Sequence, residues 1–199
     1  MRMIIAVEDP LSEAITRKLF AEVRPDLTIT TLLGNRGNGY LRRKARELNR
    51  AAVKLPVFLL TDLDSPELCP PGIIADWLGG EPAANLLFRV AVIEVESWVL
   101  ADREQVATFI GVPEHRIPAD TDSIPDPKQF LVNLARRSRS AEVRTDLVPA
   151  IGSTAAVGPL YNPRLVSFVA TRWSATRARY ASESLARTVT RLHAAYAAR

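Results

Sequence analysis

What the chain has little of narrows its chemistry first. It carries one cysteine, Cys69, and two histidines, His115 and His193, in 199 residues. A single cysteine excludes an intramolecular disulfide and any cysteine-rich metal site, as expected for a protein of a reducing cytoplasm. With no activating pattern around it, Cys69 is a poor nucleophile candidate. No apolar run approaches the ~18 residues that cross a bilayer, so a cytoplasmic protein without a membrane partner is expected. The opening MRMIIAVEDP sets charge on both sides of an apolar segment too short for a signal peptide. Neither a nucleotide-triphosphate loop nor a dinucleotide loop is complete, which argues against a small-molecule phosphotransfer enzyme.

What is present suits one globular domain over residues 1–199. Hydrophobic residues make up 47% and charged residues 24%, ordinary values for a chain able to bury a core. The net charge is only +4, yet it is unevenly spread: residues 1–150 hold 19 Lys and Arg against 21 Asp and Glu, whereas 151–199 hold seven arginines against Glu183 alone. An acidic body with a basic tail suits a metal in one place and a polyanion in another, and equally suits solvated helix faces.

Acidic residues recur where predicted strands finish. Residues 57–69, VFLLTDLDSPELC, run from a buried strand into Asp62 and Asp64. Ligands of open α/β sheets lie beyond the carboxyl ends of strands, and an extended Asp-x-Asp would point both side chains the same way, toward one divalent cation. The alternative is a pair of turn-forming or helix-capping aspartates. Residues 3–7 form a first strand ending at Glu8, after which Asp9 and Pro10 suit the start of a helix. Residues 27–33 are a second strand, and 85–95 a fourth, where a period of two places Glu94 and Glu96 on one face at the strand's end. Asp126 and Pro127 resemble another helix start, with Lys128 facing either the site or solvent. Asp102 is expected to cap the later part of a helix that follows the fourth strand.

Between the second strand and the next helix lies GNRGNG, readable as a phosphate-backbone contact loop or as plain turn chemistry. Arg36 and, on the helix at 40–53, Arg42, Arg43, Lys44, Arg46 and Arg50 make the densest basic cluster, a candidate nucleic-acid surface or else a solvated helix face. The small-residue and proline-bearing stretch 149–163 marks a loop, followed by helices at 164–173 and 183–197 with Ser182 or Ser184 as caps. Strand and helix alternation up to residue 111 predicts an α/β fold with a mostly parallel sheet flanked by helices, and residues 112–199 a helical, basic C-terminal part.

This order of motifs resembles the Toprim domain shared by topoisomerases, primases and overcoming-lysogenization-defect type nucleases. The segments IIAVEDPLSEAITRKLF, LLTDLDSPELCPPGIIADWL, LFRVAVIEVESWVLAD and GPLYNPRLVSFVATRW are similar to a bacterial family of about this length with a Toprim-like fold. The resemblance implies that Glu8 is the catalytic glutamate, that Asp62 and Asp64 bind Mg²⁺ or Mn²⁺ with Glu94 or Glu96 as a further ligand, and that Lys128 stabilises charge on a phosphate. It also implies a partner ATPase and a place in defence against phage or mobile DNA. Asp9 departs from the Toprim pattern, which commonly has glycine there. The implied activity is phosphodiester hydrolysis rather than covalent topoisomerase chemistry, for which no tyrosine has a suitable context, and the implied substrate is nucleic acid, DNA before RNA. The alternative is a non-catalytic metal- or nucleotide-binding sensor or effector subunit that binds a partner protein. A homodimer stays open beside a monomer.

Overall fold

The computed structural model describes residues 1–65 and 67–196. The turn expected after Asp64 includes Pro66, and the last expected helix reaches Ala197, so those two positions lie outside the described residues, as does Arg199 of the basic tail.

Four strands build an all-parallel sheet in the order β2-β1-β3-β4: β1 (Arg2–Val7), β2 (Thr28–Gly34), β3 (Val57–Asp62) and β4 (Leu86–Ala91). The unbroken apolar sequence of β3 follows from its place inside the sheet, where every one of its residues is buried. Side chains alternate between two cores. Met3, Ile5, Val7, Phe58 and Leu60 face one side, and Ala6, Val57 and Leu59 the other.

Helices cover both sides. Helix α1 (Pro10–Val23) begins as its sequence dictates: Asp9 Oδ1 accepts the Ser12 N–H at 2.7 Å, and Pro10 supplies a preset first turn. Its Leu11, Ile15 and Leu19 stripe packs on the Met3 side. Helix α2 (Asn38–Ala51) lays Leu41, Ala45 and Leu48 on the Ala6 side, joined there by Trp77 and Leu78 of α3 (Pro70–Leu78). The chain thus leaves β1 toward β2 over one face and crosses back to β3 over the other. That reversal of direction opens a crevice beyond the carboxyl ends of β1 and β3.

The C-terminal half is part of the same core. After α4 (Glu96–Ala101), α5 (Arg103–Ile110), α6 (Pro127–Arg136) and α7 (Ala141–Leu147), helices α8 (Tyr161–Thr171), α9 (Ala175–Ala178) and α10 (Glu183–Ala194) share the Met3-side cluster with α1. Trp98 and Trp173 pin the layer, Trp98 Nε1 donating to Ser184 Oγ at 2.7 Å and Trp173 Nε1 to the Trp98 carbonyl at 2.9 Å. Two capping expectations hold, with Asp126 accepting from Gln129 and Ser182 from Leu185.

Three local expectations are corrected. The fourth strand stops at Ala91, because Ile93 turns the chain at a φ of 61°; Glu94 lies in that turn and Glu96 opens α4 rather than extending a strand. Asp64 has a φ of 62°, so Asp62-x-Asp64 is not extended and its two carboxylates do not share one direction. Asp102 stands where α4 breaks from α5, but its side chain caps neither: it accepts the Ser174 N–H at 2.8 Å and both Nε and an Nη of Arg177.

Candidate metal and catalytic site

Five carboxylates and one ammonium meet at the crevice. Glu8 follows β1, and its Oε1 accepts the Asp62 backbone N–H at 3.0 Å and the Thr61 hydroxyl. Asp62 closes β3, and its Oδ1 accepts the Val95 N–H at 2.9 Å. The loops beyond β3 and β4 remain bonded to each other, Leu63 N–H to the Ala91 carbonyl and Asp64 N–H to the Ile93 carbonyl. This pairing carries Asp64 toward Glu94. Asp64 Oδ2 then accepts Asn38 Nδ2 at 3.0 Å, tying the first residue of α2 to the acidic group.

Lys128, in the first turn of α6, is the internal counter-ion. Its Nζ lies 2.6 Å from Glu94 Oε1 and 3.6 Å from Glu96 Oε1, and its backbone N–H donates to Glu94 Oε2 at 3.1 Å. Tyr161, buried at the start of α8, sits 3.3 Å from Glu96 Oε1. Its phenol is pushed up by burial and by the Glu96 charge, and it donates a hydrogen bond to that carboxylate.

The electrostatics follow from crowding. Burial, then the Glu8 and Glu96 charges, holds the Asp62 carboxyl well above its ordinary range. Glu8 is raised by burial against the lowering effect of its two hydrogen bonds, and Asp64 by burial and by Glu94. Glu96 is lifted to about 7 by burial, Lys128 opposing the shift. Burial opposes protonation of Lys128, but Glu96 and Glu94 outweigh it and keep the ammonium charged. One lysine among five acids leaves the pocket short of positive charge.

Among the described residues no three Asp, Glu, His or Cys side chains form a ready-made metal cage. A hydrated Mg²⁺ does not need one: it is commonly held by one or two carboxylates, several waters and a substrate phosphate. The donor set fits that mode. It is all oxygen, and Glu8 Oε2 and Asp62 Oδ2 accept no hydrogen bond from the described residues while staying in reach of solvent. Glu8 and Asp62 would hold such an ion, which would supply Lewis-acid stabilisation of phosphate oxygens.

The fold therefore brings Glu8, Asp62, Asp64, Glu94, Glu96 and Lys128 to one place. It adds Thr61, Asn38 and Tyr161, which sequence reasoning passed over. Thr61 had a signal, a hydroxyl beside an aspartate at a strand end; Asn38 and Tyr161 arrive through tertiary contacts and had none.

The basic candidates divide. Arg42 pairs with Asp76 at 2.9 Å and Lys44 with Glu47 at 2.7 Å, while Arg36 stacks over the Tyr40 ring at 5.3 Å. Arg43, Arg46 and Arg50 are exposed and make no ion pair with the described residues. In the C-terminal tail, Arg164, Arg177 and Arg187 are neutralised by acids of the chain itself.

Comparison with known proteins identifies no relative: no family model, curated protein or solved structure matches the chain.

Proposed function

We propose that the chain is a Mg²⁺- or Mn²⁺-dependent phosphodiesterase acting on nucleic acid, DNA before RNA, as a nuclease or nuclease subunit. The observation that carries this reading is the meeting of Glu8 and Asp62 at the switch point of the sheet, each with a free carboxylate oxygen, in a pocket deficient in positive charge. Glu8, lifted by burial, is the general acid or base, and Asp62 the cation ligand, with Asp64, Glu94 and Glu96 holding the surrounding charge. Lys128 can release Glu94 and turn to a phosphate oxygen. Helix α2 starts at the site through Asn38 and carries Arg43, Arg46 and Arg50 away from it, a track for a phosphate backbone. A cytoplasmic setting, a partner ATPase and a role in defence against phage or mobile DNA belong to the Toprim resemblance and complete the proposal. A homodimer is its open quaternary form.

One observation favours a second reading. Lys128 already neutralises Glu94 and approaches Glu96, as it would in a non-catalytic sensor or effector module whose acidic pocket is structural. Purified protein incubated with plasmid, single-stranded DNA and tRNA in Mg²⁺ or Mn²⁺, with and without the partner ATPase, separates the two. Cleavage that disappears in Asp62→Asn/Asp64→Asn supports the nuclease. Equal cleavage by both proteins, or none in any condition, removes it.

A further inference from the structure

A second charged cluster lies away from the carboxylates, and it is of the opposite sign. Arg89 points from β4 toward α10, half-buried, and its Nε donates to the Thr188 hydroxyl at 3.0 Å. Thr188 is fully buried and in turn donates to the Ser184 carbonyl at 2.9 Å, so the Arg89 guanidinium is anchored at one edge. Its two terminal nitrogens make no hydrogen bond with the described residues. Arg187 and Arg191 flank Thr188 on the exposed side of α10, one turn apart. Arg187 shares its charge with Glu183, whereas neither Arg89 nor Arg191 meets an acid of the described residues.

Three guanidiniums gather here with a single carboxylate, Glu183, paired to one of them. Burial, and then the Arg191 and Arg187 charges, draw the Arg89 pKa down. A partly buried cation without a partner is expensive, and an anion at its free nitrogens removes that expense. A carboxylate brings one charge and two oxygens, which one guanidinium satisfies. A phosphate brings up to two charges and more oxygens, matching the paired N–H forks of two or three arginines.

We propose that Arg89, Arg187 and Arg191 form a binding site for a phosphate group, either a free phosphate ester or a phosphate of a nucleic-acid backbone. The site stands apart from the carboxylates: Arg89 lies two residues before the end of β4, on the face covered by α10, and shares no residue with the crevice. It stands whether or not the crevice binds metal.

The test uses the full chain, with ionic strength held constant by chloride. Inorganic phosphate and adenosine 5′-monophosphate are titrated while Tm is recorded, and a fluorescein-labelled single-stranded oligonucleotide is followed by anisotropy. Saturable stabilisation by phosphate is expected. Arg191→Gln, an exposed change that leaves the core intact, weakens it about tenfold, the effect of one lost charge-assisted contact. Arg89→Lys keeps the charge but loses the anchored fork and weakens it similarly, while Glu183→Gln frees Arg187 and tightens it. Asp62→Asn leaves it unchanged, which separates this site from the metal reading. An oligonucleotide displaced by phosphate and weakened by Arg191→Gln identifies a backbone phosphate as the ligand; an oligonucleotide indifferent to Arg191→Gln identifies a free phosphate ester. No stabilisation beyond that of chloride, or equal stabilisation of wild type and Arg191→Gln, overturns the proposal.

Discussion

Glu8 Oε1 accepts the backbone N–H of Asp62 at 3.0 Å, so the carboxylate after β1 is fixed by the last residue of β3. Glutamine at position 8 keeps an oxygen able to accept that bond and the Thr61 hydroxyl while deleting one charge from the pocket. Glu8→Gln should therefore fold with a Tm equal to or above wild type at pH 7.5. Its metal-dependent cleavage should fall by at least ~100-fold, the usual worth of a general acid or base. Loss of folding on this change would mean that Glu8 is held for stability alone.

Stability should fall as pH rises through neutrality. Burial lifts Glu96 to about 7 in the folded chain, above its ordinary carboxyl value, so the native state binds a proton that the unfolded state has released. The sign follows: this contribution is complete near pH 4 and is lost as pH climbs toward and past 7. Melting curves of metal-free protein from pH 5 to 8, compared with Glu96→Gln to cancel other groups, should show the steeper decline in wild type. Parallel curves would place Glu96 at an ordinary carboxylate value.

Much of this site was legible because strand ends announce themselves. At Val7-Glu8 and Thr61-Asp62 a mostly apolar run gives way to an acid where the strand ends. The fourth strand misled because the apolar sequence VAVIEV continues through a turn; nothing local distinguishes Ile93 at positive φ from Ile93 in a strand. Asp64 failed for the same reason. The packing of α8 and α10 against α1 was also hidden, since a helix stripe shows that a face is buried but not on which partner.

Lys128 stands in the pocket as a built-in cation. Lys128→Met removes the partner of Glu94 and Glu96, and the metal-free protein should melt several degrees lower because Glu96 is buried. Mg²⁺ should restore the loss and bind several-fold more tightly than to wild type, as read by isothermal calorimetry. Unchanged or weaker Mg²⁺ binding would show that the ammonium does not compete for the site.

The free arginines of α2 should set the salt dependence of nucleic-acid binding. Arg43→Gln/Arg50→Gln should weaken an arbitrary duplex and lower the slope of log K against log salt by about 1 to 2, since each lost phosphate contact contributes about 0.9. An unaltered slope would reduce the helix to a solvated face.

The proposed divalent-cation site in the crevice between β1 and β3 has a direct test. Mn²⁺ titrated into metal-free protein and followed by electron paramagnetic resonance tests it without requiring a substrate. Saturable binding is expected in wild type, with competition by Mg²⁺ and loss of binding in Asp62→Asn, whose fold should persist because the amide oxygen can still accept the Val95 N–H. Equal Mn²⁺ binding by wild type and Asp62→Asn, or none by either, would rule the site out.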